Sequence, residues 1–339
     1  MNPLFGLPGI ASTGAVSRHK KSKPKSSGSK LVIAGGHLVK KAAVKSTTLT
    51  DSTRRLVDLW GTPIYGKLGV RPPAWEGRRI AFIHWLPCGK ELQPIEVFHL
   101  NMLWAFDAAD FFEEIHVRVA GDGKVPAHVS KALKEVLGAG RAKLDVKGIK
   151  NSETWEWGTY NEFLRAARPD ADLYYMHFKG TSHAPGSARK QDKVFADYGD
   201  FAGITFWSYV MYRALFTIPP TEEKPAVCGV LHVNPEWTKK LGWDLHPYHA
   251  SGSFQGYKGS ALVAQRDLIK ARLAYAQGHT IRMRYTVEGM MTLLFDKSKI
   301  SSLCDASISP VGMYTNLNKA CPQQYSEFCN GPEYLICQR

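Results

Sequence analysis

The sequence lacks the features that mark membrane and exported proteins. None of its apolar runs approaches eighteen residues, which excludes a membrane-spanning helix. The apolar residues near the start are interrupted by Pro and Gly, and no basic flank precedes them, so we expect no secretory signal. Charged residues make up 22% of the chain and hydrophobic ones 44%, a balance that excludes a largely disordered protein. We therefore expect a soluble protein whose 339 residues form one large or two ordinary domains.

The six cysteines lack the spacing that a structural zinc site requires. Four of them, Cys304, Cys321, Cys329 and Cys337, fall in the last 36 residues, and no two form a CxxC pair. Without an export signal, disulfides are not the default either. Free thiols are the favoured interpretation, disulfides in the tail come second, and a metal site comes third.

Acidic residues are missing from the first 50 positions, which carry nine Lys and Arg. Most of the net charge of +14 therefore belongs to this segment. The stretch RHKKSKPKSSGSK at 18–30 is also poor in apolar residues, so we predict that 1–50 forms a disordered basic arm. Residues 18–45 could contact a polyanion such as nucleic acid by neutralising its phosphates. A tail that only keeps the protein soluble is the alternative.

Composition divides the remaining chain into three segments. Residues 51–75 combine a short helix with a Pro-rich linker, 76–297 form the folded domain, and 298–339 form a Cys-containing tail. In the domain, short apolar strands alternate with helical patterns, which predicts an α/β fold with an open, mostly parallel twisted sheet and flanking helices. Strands are predicted at 78–86, 114–121, 142–146, 170–180 and 227–233, and helices near 95–106, 158–168 and 201–216.

Polar residues stand where several predicted strands end. Open parallel sheets bind ligands at the carboxyl ends of their strands, so His84 and the loop after Val233 are candidates. The strongest candidate is the strand that runs into HFKGTSH, because cations and hydrogen-bond donors make an anion site. The alternative is a core histidine beside a solvated lysine. The cluster consists of His177, Lys179, Gly180, Ser182 and His183.

Through this cluster, the segment 78–290 resembles a family of glycosyltransferase-like proteins of bacteria and large viruses. The family's strand ends in H-T-K-G-x-S, and here Phe178 replaces the Thr. Glu162 resembles the acidic residue of the family's preceding helix, Asp172 the Asp that opens the strand, and Trp207 the start of its W-x-x-x-M helix. The match covers about two thirds of the chain and leaves out the arm and the tail.

The family's next signature is a His followed by G-N-F-W-W-A-x-x-D-Y-L. His249 matches the His, and two segments could match the remainder, 251–254 or 259–268. We favour the second, because it keeps the following helix in register. Ser260 then stands where the family has Asn, and Ala261-Leu262-Val263 replace its Phe and two Trp, which leaves the acceptor open.

The resemblance implies a GT-A-like, Rossmann-related fold and a nucleotide-sugar donor. Metal-dependent GT-A enzymes end a strand in Asp-x-Asp, whose carboxylates hold a divalent cation. Asp170-Ala171-Asp172 precedes its strand, so we interpret it as a turn at the amino end. We expect Lys179 and His177 to neutralise the departing diphosphate in place of a metal, and we expect no other cofactor.

The remaining roles follow the resemblance. Glu288 and Asp267 are the candidates for the carboxylate that activates the acceptor hydroxyl, with a helix-face ion pair as the alternative for Glu288. Donor-binding residues would be His84, Glu162, Gly180, Ser182 and His183. Acceptor-binding residues would be Trp207, His249, Gly259 and Ser260.

The leading hypothesis is therefore a glycosyltransferase of the hexosyltransferase type. It would use a nucleotide-sugar and an unknown acceptor, which could be a glycan, a protein or a nucleic acid. The alternative is a non-catalytic nucleic-acid-binding or virion-associated protein that acts through its basic arm. In both cases we expect a cytoplasmic protein, in the host cytoplasm if the chain is viral.

Overall fold

The computed structural model describes residues 77–150, 156–178, 201–233, 248–278, 280–306, 321 and 323–324. The predicted arm, the linker and four predicted site residues, Lys179, Gly180, Ser182 and His183, lie outside this part of the chain. The strands are β1 (Arg78–Trp85), β2 (Glu114–Gly121), β3 (Lys143–Lys150), β4 (Ala171–His177), β5 (Ala226–Val233), β6 (Tyr248–Ala250), β7 (Gln255–Tyr257) and β8 (Ile300–Ala306). The helices are α1 (Pro94–Ala105), α2 (Ala108–Phe111), α3 (Ala127–Leu137), α4 (Trp157–Arg165), α5 (Phe201–Thr217), α6 (Gly259–Ala264), α7 (Arg266–Ala276) and α8 (Thr280–Leu294).

All eight strands belong to one sheet, which is open and mostly parallel. Its order begins β3-β2-β1-β4, four parallel strands linked by helices, and continues through β7 to β5, with β8 parallel to β5. β7 is antiparallel to both β4 and β5. The predicted α/β fold class, an open and mostly parallel sheet with flanking helices, is confirmed.

The antiparallel element next to β4 is an interrupted strand. β6 and β7 both pair with β5 in an antiparallel sense, and the 3₁₀ turn Ser251–Ser253 separates them. Gly252 adopts a φ of 81°, which an L side chain rarely adopts. The interruption lifts 251–254 out of regular pairing at the level where β4 ends.

Helices cover both faces of the sheet. Successive side chains of β1 point to opposite faces and so into two separate cores. Ala81, Ile83 and Trp85 point into a core shared with α1, α3 and α5, whereas Ile80 and Phe82 point into a second core shared with α4 and α8. Because both faces are buried, β1 is an almost continuous apolar run. No described helix has the length and hydropathy needed to cross a bilayer.

The C-terminal part of the sheet extends past the predicted domain boundary at residue 297. β8 pairs with β5 over its full length, so residues 300–306 are part of the sheet and not of the tail. Cys304 of β8 is disulfide-bonded to Cys321, and the favoured prediction of free thiols is wrong for this pair. The other two described cysteines, Cys88 and Cys228, are buried.

Candidate functional site

The strand order places a candidate site between the carboxyl ends of β1 and β4. From β1 the chain continues to β2 on one side of the strand, and β4 pairs on the other side, so the order reverses there. In open α/β sheets, ligands bind in the crevice at such a reversal. His84 and His177, the residues predicted at these two strand ends, are direct partners in the β1–β4 register. The structure therefore brings together the histidines that the sequence placed 93 positions apart.

Helix α4 and the residue before it, Glu156, supply hydrogen-bond partners to side chains of β4, β1 and β2. Residues three positions apart lie on the same face of a helix. Glu156, Thr159 and Glu162 form one such row, which contacts three strands that are neighbours in the sheet. Glu156 contacts His177 of β4, Thr159 contacts His84 of β1, and Glu162 contacts Arg118 of β2.

His84, which contacts Thr159 of this row, is a buried and neutral imidazole. Its side chain continues the face of Ile80 and Phe82, and only 7% of the residue is exposed. Its Nδ1 lies 2.9 Å from Thr159 Oγ1. Burial lowers the pKa of His84 to about 4; Glu156 opposes this shift and His177 adds to it. His84 thus provides hydrogen bonds near neutral pH and no positive charge.

His177 is held by Glu156 at the end of β4. Its Nδ1 lies 2.6 Å from Glu156 Oε2. The same carboxylate oxygen accepts from the Tyr175 hydroxyl at 3.1 Å, and Oε1 accepts from Ser253 Oγ at 3.2 Å. The ring of Phe254 lies 5.8 Å from the imidazole, centroid to centroid. His177 is therefore fixed by residues from β4, α4 and the β6–β7 connection.

Glu162, predicted to bind the donor, instead neutralises a buried guanidinium. Arg118 Nε lies 2.6 Å from Glu162 Oε2, and an Arg118 terminal nitrogen bonds Oε1. A further bond of 2.9 Å links Arg118 to Asp145 of β3. The hydrogen bond from Arg118 lowers the pKa of Glu162, which therefore stays ionised. Both of its oxygens bond Arg118, and its contact with a donor stays a prediction.

Phe178 anchors the chain directly before Lys179. Its N–H donates to the His84 carbonyl at 3.0 Å, which continues the β1–β4 pairing by one bond. Its ring lies 4.5 Å from Trp85 and stacks on His99 at 4.8 Å, centroid to centroid. Phe178 is therefore a core residue directly after β4.

Glu96 organises the loop after β1, on the same edge of the sheet. Its carboxylate accepts from Trp85 Nε1 at 2.8 Å, from the Cys88 N–H at 3.1 Å and from the Gln93 N–H at 2.8 Å. Burial is the main cause that raises the pKa of Glu96. Sequence reasoning missed this residue, since a Glu in the first turn of a helix is ordinary capping chemistry.

Two of the predicted acceptor residues lie at the opposite end of β4. A Cβ on Gly259 would lie 2.0 Å from the carbonyl oxygen of Ala171, the first residue of the strand. Ser260 donates to Glu222 at 3.0 Å in an exposed hydrogen bond. The seven residues of β4 span about 20 Å. Gly259 is thus packed against the amino end of β4, on the edge of the sheet opposite His177, and Ser260 follows it there.

The match that we set aside lies at the site. Ser253 belongs to 251–254 and bonds Glu156, and His249 of β6 is buried beside His232, with ring centroids 5.0 Å apart. Ser253 ends the turn between β6 and β7, and β6 pairs with β5. In the sequence, Gly252 is the residue that indicates this turn, because glycine readily adopts a positive φ. We had chosen between the two segments by the register of the following helix, which says nothing about a turn.

The remaining predicted residues are scattered. Trp207 of α5 is buried in the core against Phe206. The Asp267 side chain is fully exposed on α7 and lies 3.6 Å from Lys270. Glu288 lies half-buried on α8.

Asp170 and Asp172 lie at the amino end of β4, as predicted. Asp170 lies within ion-pair distance of Arg78 and Arg168, and Asp172 lies 3.3 Å from Lys258. These carboxylates are therefore engaged on the edge of the sheet opposite His177. Among the described residues, no three His, Cys, Asp or Glu side chains are grouped so that they could hold a metal ion.

Comparisons with known proteins add little to this geometry. No family model matches the chain, and no curated protein matches its sequence. Among solved structures, the chain is similar to 4-diphosphocytidyl-2C-methyl-D-erythritol synthase from Anaerococcus prevotii, at 10% identity and a TM-score of 0.30 over 74% of this chain and all of that one. At this TM-score two chains do not share a fold in the usual sense, so we attach no function to the similarity.

Proposed function

We propose that the chain is a glycosyltransferase that takes its sugar from a nucleotide-sugar bound at the carboxyl ends of β1 and β4. The observation that carries this proposal is the pairing of His84 with His177 at the reversal of strand order. Crevices of this kind accommodate nucleotide ligands in open α/β sheets. His177 and the anchored Phe178 lead directly into Lys179, Gly180 and Ser182, whose cation, backbone and hydroxyl can bind phosphate oxygens.

In this proposal the donor's diphosphate meets Lys179. The bond between the anomeric carbon and the diphosphate oxygen breaks, and negative charge builds on that oxygen. An ammonium group placed at this point stabilises the transition state more than the ground state, and only such a difference accelerates the reaction. His84 is neutral near pH 7, so its role is a hydrogen bond and not charge neutralisation.

Ligand binding tests the proposal without knowledge of the acceptor. Nucleoside diphosphates and a panel of nucleotide-sugars are added in a thermal-shift assay, with EDTA or with Mn²⁺. A ligand at a hundred times its Kd stabilises the fold by about 2.7 kcal/mol. We expect one nucleotide class to raise the melting temperature, and a chain without residues 1–50 to respond equally. Loss of all nucleotide binding on deletion of the arm would favour the nucleic-acid-binding alternative.

Lys179→Ala tests the assigned charge. Slow hydrolysis of the nucleotide-sugar, followed as released nucleoside diphosphate, should fall by on the order of 10²–10³-fold, because a well-placed group that stabilises developing charge is worth that much. Lys131→Ala removes an exposed lysine from α3, with a side chain 78% exposed, and should leave the rate unchanged. Wild-type rates in Lys179→Ala would refute the role of Lys179.

A further inference from the structure

Glu156 is the point at which three elements meet His177. The glutamate is buried directly before α4, and among the described residues the side chains of Tyr175, His177 and Ser253 contact its carboxylate oxygens. An ionised carboxylate accepts hydrogen bonds and donates none. Three donors around two oxygens therefore match the charged form of Glu156.

This arrangement determines which ring nitrogen of His177 carries the proton. Burial and the neighbouring Glu156 raise the pKa of Tyr175 well above its ordinary value, so its hydroxyl stays protonated and donates. The Ser253 hydroxyl is the second donor. The third contact, at 2.6 Å, is then a bond in which His177 Nδ1–H donates to Oε2. In the neutral ring Nε2 is left as the atom with a free electron pair.

We propose that His177 Nε2 is the base of the transfer reaction and that Glu156 is its positioning residue. This inference rests on the proposed function and deepens it. Nε2 takes the proton of the acceptor hydroxyl, the hydroxyl oxygen forms its bond to the anomeric carbon, and the bond from that carbon to the diphosphate breaks. The electron pair leaves with the diphosphate, and the imidazolium faces the Glu156 carboxylate.

The groups around His177 favour this direction of proton transfer. Glu156 before α4 is the anion that faces the ring. On β1, His84 is uncharged near neutral pH, so it does not repel the imidazolium. Tyr175 on β4 is neutral, and Ser253 and Phe254 from the β6–β7 connection do not titrate in this range. The sequence suggested that His177 acts as a cation beside the diphosphate. We assign it the role of a base instead and leave charge neutralisation to Lys179.

The direction of the pH dependence separates the two roles. A base must accept a proton, so kcat/KM for nucleoside diphosphate release should fall as the pH is lowered. A cation that stabilises the diphosphate would give the opposite slope. His177→Gln should lower the rate by on the order of 10²-fold or more, as removal of a general base does. A rate that rises steadily with acidity would overturn the assignment.

Glu156→Gln tests the positioning role, because Gln keeps the shape and loses the charge. We expect kcat/KM to fall at least about tenfold, because a neutral Gln stabilises the His177 imidazolium less than the carboxylate does. A tenfold change in rate corresponds to only a modest loss of this stabilisation. The control, Glu135→Gln, removes an exposed carboxylate that lies 3.8 Å from Lys131 on α3, and should retain the wild-type rate. A Glu156→Gln enzyme with the wild-type rate and pH profile would overturn the role of Glu156.

A measurement on the wild-type chain covers the case in which a variant does not fold. ¹⁵N NMR of the imidazoles, assigned with His177→Gln, should show neutral His177 protonated at Nδ1. Protonation at Nε2 in an active enzyme would overturn this inference and leave the proposed function intact. Failure of the wild type to release nucleoside diphosphate from any donor would instead reject the proposed function, and the reaction assigned to His177 with it.

Discussion

Acidification should destabilise this protein through His84. The imidazole is 7% exposed, and burial lowers its pKa from 6.5 to about 4. The unfolded chain therefore binds more protons than the folded one between these two values, and stability is lost as the pH falls through this range. The contribution is complete above the unfolded value, and at about pH 5 the loss amounts to about 2 kcal/mol.

Urea unfolding at about pH 7.5 and about pH 5 measures this loss in the wild type and in His84→Asn. Asn can still bond Thr159 but does not titrate, so effects of all other groups cancel in the comparison. We expect the wild type to lose about 2 kcal/mol more than the variant between the two conditions. Equal losses in both proteins would refute the reasoning that the ring is buried and neutral.

Two further predictions concern stability. In thermal melts, Gly259→Ala should destabilise the fold by about 1–3 kcal/mol, because the new Cβ would lie 2.0 Å from the Ala171 carbonyl oxygen. The control is Gly158→Ala in α4, where nothing lies within 4 Å of the new Cβ. This variant should be as stable as the wild type or more stable. Reduction of the Cys304–Cys321 disulfide, which closes a separation of 17 residues, should reduce the free energy of unfolding by about 3 kcal/mol, as measured by urea denaturation with and without reductant. A chain with both cysteines replaced by Ser that still responds to reductant would contradict the second prediction.

Local patterns predicted the parallel half of the sheet closely. The strands predicted at 78–86 and 114–121 are β1 and β2 within one residue, and 227–233 is β5 with one residue added. β1 and β5 are rich in apolar residues, as strands buried on both faces are, and β2 alternates apolar with polar residues. The three-residue strands β6 and β7 were not predicted, because Ser, Gly and His interrupt them and neither is long enough to show a period.

The candidate site was predicted in part. His84 and His177 were identified because they end apolar strands, and the sheet rule applies to any strand end. Glu156 and Thr159 were not, because nothing in their own neighbourhood distinguishes them from ordinary surface polar residues, and Ser253 appeared only within 251–254, the segment that was not favoured. Their positions at the site depend on α4 and the β6–β7 connection packing over the same strand end.

The sequence by itself determined the elements, since hydrophobic periodicity and turn residues act within ten or so neighbouring positions. It also determined that polar groups terminate the buried strands. Only the tertiary structure decided which of those ends lie together and which carboxylate each one meets. The order in which strands pair places His84 against His177, and the path of β6 and β7 puts Ser253 at the site while Gly259 lies at the far end of β4. Pairing of distant segments depends on the free energy of the whole packed sheet, which no short window of residues contains.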